Sequence, residues 1–239
     1  MKAKTDPRPQ DFPRPAVAVD IVVFTVDQSE LRLLVVRRGE APFRGELALP
    51  GGFLRVLGDG PSARDQGEDL DAAARRELHE ETALDPSEVW LEQLGAFGRA
   101  GRDPRMRVVA VAYYALVRPD LVPKVRGGGD AAAALWVPFL ELPKLAFDHE
   151  AIAHAAHARI VRDLDRTGLG FHLAPQPFTI PELRATWGAI GGKPLDPGNF
   201  RRRFGRMLED GIVTAAPGKR RTGSKPATLY RSVVASRGS

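Results

Sequence analysis

The charges of this chain divide it in two. Residues 171–239 carry 12 Lys and Arg against 4 Asp and Glu, a net of +8, whereas the 170 residues before them carry 23 against 26, a net of −3. So sharp a sorting predicts a basic tail attached to an acidic-leaning body rather than one evenly charged domain. A tail of that charge suits a polyanion partner, and a solvated basic surface is the alternative that charge by itself leaves open. The 239 residues leave room for two modest domains, and 43% hydrophobic with 27% charged residues is an ordinary globular composition. Apolar runs such as Val108–Leu116 fall far short of the ~18 residues of a membrane span. Met1–Pro15 alternates charge and proline, so no secretory leader is expected, and the absence of cysteine excludes a disulfide framework and a thiol nucleophile. A cytoplasmic protein is the expectation.

Residues 1–16 hold four prolines and read as a flexible lead-in. Val17–Val26 is a β-branched run, Asp27-Gln28-Ser29-Glu30 a turn and Leu31–Val36 a second strand, which together predict a hairpin. Leu47–Pro50 is a short strand ending at Gly51-Gly52, and Arg55–Gly67 is a loop. Glu68–Thr82 is a helix, followed by strands at Val89–Phe97, Met106–Val117 and near Leu135–Val137 beyond the Gly127-Gly128-Gly129 breaker. Asp148–Asp165 is helical, with Ile152, Ala156, Ile160 and Leu164 recurring every four or so residues. Mixed strands with two helices predict an α/β sandwich over 17–166.

The tail, 171–239, has its own order. Thr179 caps a helix whose Ile180, Leu183, Trp187 and Ile190 share a face, and Gly191-Gly192-Lys193-Pro194 breaks it. Asp196 caps a second helix that runs to about Asp210, with Gly211 as its stop. Ile212–Ala215, a charged loop Gly218–Lys225, and Ala227–Val234 follow as strand, loop and strand. Helix, turn, helix and β-hairpin is the order of a winged helix-turn-helix. In the second helix Phe200, Phe204, Met207 and Leu208 cluster on one side. Asn199, Arg202, Arg203 and Arg206 lie opposite, with Arg201 at the flank. Arginine reads guanine and asparagine adenine in the major groove, and Lys219, Arg220, Arg221 and Lys225 suit a wing lying on phosphates.

In the body, Glu77, Glu80 and Glu81 stand at i, i+3 and i+4 and share one helix face. Three carboxylates so close repel one another unless a cation lies between them, and hard oxygen ligands suit Mg²⁺ or Mn²⁺. An exposed acidic face paired with Arg75 and Arg76 is the alternative. Five histidines remain; His154 and His157, at i and i+3, have no acidic or cysteine partner at ligand spacing and read as core-edge residues, while His149 has no derivable role.

Gly52, Glu68 and Arg76-Glu77-Leu78-His79-Glu80-Glu81-Thr82-Ala83-Leu84 resemble the Nudix box, G-x5-E-x7-R-E-U-x-E-E-x-G-U. Fifteen residues rather than five separate Gly52 from Glu68, and Ala83 stands where the motif has glycine. The resemblance implies an α/β/α sandwich that binds a nucleoside diphosphate linked to another group, with Glu77, Glu80 and Glu81 as catalytic and metal-holding residues and Arg76 and Glu68 in support. Leu49-Pro50-Gly51-Gly52-Phe53, Phe97-Gly98, Gly101–Arg105, Val108–Tyr114 and Leu145–His149, followed by the basic tail, resemble the Nudix-related transcriptional regulators of NAD biosynthesis. That similarity runs from about Val17 to Arg231. It implies a Nudix domain sensing ADP-ribose and a winged helix binding operator DNA, as a homodimer. Gly52 and Phe53 are ligand-binding candidates on this resemblance, and Arg38 and Arg102 are candidate phosphate contacts by charge.

The expectation is therefore an ADP-ribose-responsive, DNA-binding repressor of NAD-metabolism genes. The alternatives are a Mg²⁺-dependent Nudix hydrolase that cleaves ADP-ribose to AMP and ribose 5-phosphate, and a Nudix hydrolase acting on RNA with the tail as a clamp.

Overall fold

The computed structural model of the protein describes residues 13–56, 67–125, 131–164, 168–221 and 226–233. Most of the lead-in, the middle of the loop before the acidic helix and the Gly127–Gly129 breaker lie outside them.

β1 (Ala16–Asp27) and β2 (Glu30–Arg38) form the expected hairpin, with Asp27 opposite Glu30. The two turn residues, Gln28 (φ 51°) and Ser29 (φ 64°), both take positive φ, as the tightest hairpin turns demand. The strand expected at Leu47–Pro50 is two strands: β3 (Leu47–Ala48) pairs with β2, and β4 (Gly51–Phe53) pairs with β1. Pro50, with no N–H to give a ladder, falls at the break. The Gly51-Gly52 pair is thus strand, not strand end. β5 (Trp90–Phe97) and β6 (Val108–Val117) complete the far side, and β7 (Ala131–Pro138), longer than expected, pairs with β2. β1 and β6 run parallel in an otherwise antiparallel sheet ordered β3-β2-β1-β6-β5.

Alternation along the central strands sets the layers. Val19, Ile21 and Val23 of β1, with Val111, Tyr113 and Ala115 of β6, face Ala73, Ala74 and Leu78 of α1 (Leu70–Thr82). Val22 and Phe24, with Ala112, Tyr114 and Leu116, face Ile152, Ala153, Ala156 and Ile160 of α2 (His149–Asp163). The result is the expected α/β/α sandwich. The same second core continues into the tail.

There α3 (Ile180–Ile190) buries Leu183, Trp187 and Ile190, and α4 (Pro197–Glu209) buries Phe200 and Phe204. The α3 cap is reciprocal: Thr179 Oγ1 accepts from Glu182 N–H (3.3 Å), and Thr179 N–H donates to Glu182 Oε2 (2.7 Å). Asp196 Oδ1 accepts from Asn199 N–H at 2.7 Å, as the cap reading requires. Trp187 meets Phe171 edge-on at 5.2 Å between centroids, and Phe204 meets Tyr230 at 4.8 Å. Leu208, expected in this core, is 39% exposed, because Phe200 and Phe204 fill the contact without it. β8 (Val213–Arg221) and β9 (Pro226–Ser232) form the wing, and Phe178 exchanges backbone bonds with Tyr230 at 2.9 and 2.7 Å, adding a third rung that the sequence did not suggest. The charged loop expected from Gly218 is shorter. Lys219, Arg220 and Arg221 continue β8 opposite Thr228, Ala227 and Pro226, because Pro217-Gly218 makes a bulge rather than an end to the strand.

Ala83 closes α1 in the left-handed region (φ 59°, ψ 11°), its N–H donating to His79 C=O at 2.9 Å. The helix end that the motif assigns to glycine is therefore kept at the cost of strain. Ala83→Gly should raise the unfolding free energy by about 1 kcal/mol in a urea titration, net of glycine's extra unfolded-state entropy. No gain would mean that the strain is relieved elsewhere.

Candidate functional site

Where β4 crosses β1 beside α1, the fold leaves a cavity of about 460 Å³. Arg38, Gly52, Phe53, Glu77, Glu80, Glu81 and Arg102, all the body residues expected to bind ligand or metal, line it. The fold brings them from four separate segments of chain to one place.

One wall is acidic. Arg76 Nη1 donates to Glu77 Oε1 (2.6 Å) and Glu80 Oε2 (3.0 Å), and its Nη2 and Nε donate to the two carboxylate oxygens of Glu68 at 2.6 and 2.9 Å. Glu81 Oε2 accepts from Gly51 N–H at 2.9 Å. Glu77 is pressed so closely against Gly52 that a Cβ there would lie 2.2 Å from its Oε1. The hydrogen bonds from Arg76 hold the Glu68 carboxyl down to about 2, and Glu68 in turn raises the Arg76 guanidinium above its ordinary range. The long insertion does not pull Glu68 out of place, because its neck is tied. Arg55 N–H donates to Glu68 Oε1 (2.8 Å) and Glu68 N–H to Arg55 C=O (3.0 Å).

The donor chemistry of this wall is that of a hard divalent cation. The arrangement is not. Among the described residues no three acidic or imidazole groups stand together as a metal cage, and the positive charge is the Arg76 guanidinium at Glu77 and Glu80, joined at Glu80 by Arg55 (3.2 Å). As they stand, Glu77 and Glu80 are paired with guanidinium groups that a cation would have to displace.

The opposite wall is basic and aromatic. The Arg38 guanidinium lies 4.8 Å from the Phe147 ring centroid, and that of Arg105 lies 5.3 Å from Phe53 and 6.0 Å from Phe147. Burial, and next the charge of Arg105, push the Arg38 pKa down. Arg38 beside the half-buried Phe147, on a wall that also carries the exposed Phe53, favours an anion that carries a flat ring, while Arg105 is held by Asp103 in a two-pronged pair (2.8 and 3.1 Å). Phe43 and Phe147, in edge contact at 4.9 Å, both hold positive φ (64° and 56°), a conformation bulky residues avoid without a local reason.

The tail presents a second surface. On α4 Asn199, Arg201, Arg202 and Arg206 are exposed, and Arg202 hydrogen-bonds Asn199. Lys219 and Arg221 are exposed on the wing.

A family model of the NUDIX domain matches residues 14–163, and a model of the NrtR DNA-binding winged helix domain matches residues 170–232. The chain belongs to the Nudix family. It is 35% identical over 223 residues to the ADPR responsive transcriptional repressor NtrR of Acinetobacter baylyi, covering 92% of this chain and 83% of that one. It is 36% identical over 138 residues to an ADP-ribose pyrophosphatase of Methanocaldococcus jannaschii, which covers 58% of this chain and 70% of the relative. Among solved structures it resembles Shewanella oneidensis NrtR complexed with a 27mer DNA, with a TM-score of 0.72, 31% identity, and coverage of 90% of this chain and 93% of that one.

Three of the expected binding arginines of this Nudix protein are already paired within the chain. Arg102 reaches the cavity already paired: 5% exposed at its side chain, it donates through Nη2 to Asp20 (2.8 Å) and Asp148 (2.7 Å) in the cavity floor, so an anion would have to compete for it. Arg203 leaves the outer face of α4 because its position borders Phe200, and its guanidinium lies 5.7 Å from the Trp187 ring. Arg220 turns from the wing surface to Glu182, at 2.9 Å. Lys225 lies outside the described residues. Among the cavity residues not foreseen as such are Asp20, Arg105, Phe147 and His149. Arg105 and Phe147 lie in segments that carried the family resemblance, which was their only signal. His149, for which the sequence offered no role, accepts from Leu49 N–H through Nδ1 (2.9 Å) while burial pushes its pKa down.

Since the Glu68 carboxyl falls from an ordinary 4.5 to about 2 on folding, the stability it contributes is present above pH 4.5 and lost as pH drops through 2. Glu68→Gln should therefore be less stable than the parent at pH 7, and the difference should close between pH 4.5 and 2 in chemical denaturation. A pH-independent difference would assign the loss to packing instead.

Proposed function

We propose that this Nudix protein is a DNA-binding transcriptional repressor of NAD-metabolism genes that ADP-ribose releases from its operator. One observation carries the reading: the core that seats α2, whose first residue His149 lines the cavity, is the same core that buries Trp187, Phe200 and Phe204 beneath the recognition helix. A ligand that changes one end of that core changes the seat of the other. The acidic wall facing a cationic wall that also carries the Phe53 and Phe147 rings suits a pyrophosphate joined to a base, and the curated repressor relative is named for its response to ADPR.

On the DNA side, Arg202, Arg206 and Asn199 read base edges, and Arg201, Lys219 and Arg221 meet phosphates. As a homodimer the two recognition helices would enter half-sites one helical turn apart, ~34 Å, or a multiple of it. Such a protein works where the chromosome is, in the cytoplasm, and among the described residues no helix is long and apolar enough to cross a membrane.

A second reading, hydrolysis of ADP-ribose to AMP and ribose 5-phosphate, is favoured by the three glutamates on the cavity wall and by the pyrophosphatase relative. Mg²⁺ or Mn²⁺ at Glu77, Glu80 and Glu81 would require Arg76 to give up Glu77 and Glu80, so we hold metal to be dispensable for the regulatory response.

In a gel shift on the chain's own promoter, Arg202→Ala should weaken binding by about 1–3 kcal/mol, whereas Arg203→Ala should lose less binding and more thermal stability. Equal binding by Arg202→Ala and the parent would remove α4 as the reading helix. ADP-ribose should release the DNA in EDTA as well as in Mg²⁺. Release that occurs in Mg²⁺ alone would make the metal part of the sensor.

A further inference from the structure

α2 touches the ligand cavity at one end and the DNA-binding unit near its middle. Its N-cap, Asp148, takes three hydrogen bonds from Arg102 (2.7–3.1 Å), and its first residue, His149, accepts from Leu49 N–H. Arg102 also holds Asp20, so one buried guanidinium joins β1 to the start of α2 in the cavity floor. An anionic ligand entering the cavity competes with Asp148 and Asp20 for that guanidinium.

About 12 Å along the helix, at 1.5 Å per residue, stands His157. Its Nε2 lies 2.8 Å from the carbonyl oxygen of Ile190, the last residue of α3. A carbonyl can only accept, so Nε2 carries the proton. The carbonyls before it in the last turn of α3 are taken by the chain itself: Trp187 by Gly191 N–H (3.0 Å), Gly188 by Lys193 (3.0 Å) and Ala189 by Gly192 (3.3 Å). The imidazole thus completes the C-terminal cap of α3 from another domain. Its ring is held in place by Phe139, 4.6 Å between centroids. The turn that follows, Gly191–Leu195, leads directly into the recognition helix and borders a second cavity of about 560 Å³ shared with the β1–β2 turn, which leaves it room to shift.

We propose that α2 transmits the state of the cavity to the recognition helix, and that His157 is the positioning residue through which it does so, by gripping the α3 cap at Ile190. This rests on the ligand-released repressor reading. A packed helix moves as a body, so a small displacement where Arg102 holds Asp148 reaches Ile190, and the turn before α4 moves with it.

The test uses the full-length chain, an own-promoter duplex and ADP-ribose, with DNA affinity measured by fluorescence anisotropy in EDTA with and without saturating ligand. The parent should lose DNA affinity by about 5- to 150-fold on adding ADP-ribose. His157→Phe keeps a ring against Phe139 and removes the donor. It should bring that ratio to within about twofold of one while ADP-ribose affinity in the absence of DNA holds. His157→Gln, which restores an N–H at similar reach, should recover the ratio, an outcome that mere loss of packing does not give. A ratio in His157→Phe equal to the parent's overturns the inference and leaves the repressor reading standing, whereas no release in the parent overturns that reading and the inference with it. Hydrogen exchange on the parent alone covers the case in which the variants fold poorly. ADP-ribose should change the exchange rates of the Gly191, Gly192 and Lys193 amides, and unchanged rates there overturn the proposal.

Discussion

The parallel pairing of β1 with β6 is the constraint on which the rest hangs. It runs from Ala16 opposite Val108 to Thr25 opposite Val117, and both faces of it are buried. Each large aliphatic side chain so placed contributes about 1.5–3 kcal/mol. The more specific consequence is a division of labour by parity. Val19, Ile21 and Val23 seat α1 with its acidic wall, and Val22 and Phe24 seat α2 and, through it, the tail. A one-residue slip of β1 would exchange the two faces and separate the cavity from its walls.

On that frame the acidic wall is organised by one arginine. Arg76 holds Glu68, Glu77 and Glu80 together, with Arg55 adding a second contact at Glu80, which offsets the repulsion of clustered carboxylates without an ion from solution. It also explains how the box tolerates fifteen residues where the motif has five. The insertion leaves and re-enters at Arg55 and Glu68, which bond to each other, so the length between them does not reach the site. In the cavity floor Arg102 does the same for Asp20 and Asp148, and there the neutralised cluster lies against the helix that supports the DNA-binding unit.

The sequence made the sandwich, both caps of the helix-turn-helix and the acidic wall of the cavity legible, because each rests on a local rule: period-two burial, a capping side chain, a motif of fixed spacing. What it hid depends on a partner distant in the chain. Arg102 and Arg105 are both arginines in one loop, and only the fold shows the first buried between Asp20 and Asp148 and the second beside Phe53 and Phe147. Arg203 sits on the Arg/Asn arc of an ideal helix, yet Trp187, from another helix, draws it inward. His157 carried no motif at all; its partner is a backbone carbonyl 33 residues away, which no periodicity encodes.

The central claim is that ligand and DNA are read by one continuous core and therefore oppose each other. Calorimetric titration of ADP-ribose into the full-length protein, free and then saturated with operator duplex, tests it most directly, in EDTA so that no turnover intrudes. Linkage requires DNA to weaken ADP-ribose by the same factor that ADP-ribose weakens DNA, about 5- to 150-fold for a typical coupling. A dissociation constant for ADP-ribose that is identical with and without DNA would contradict the account.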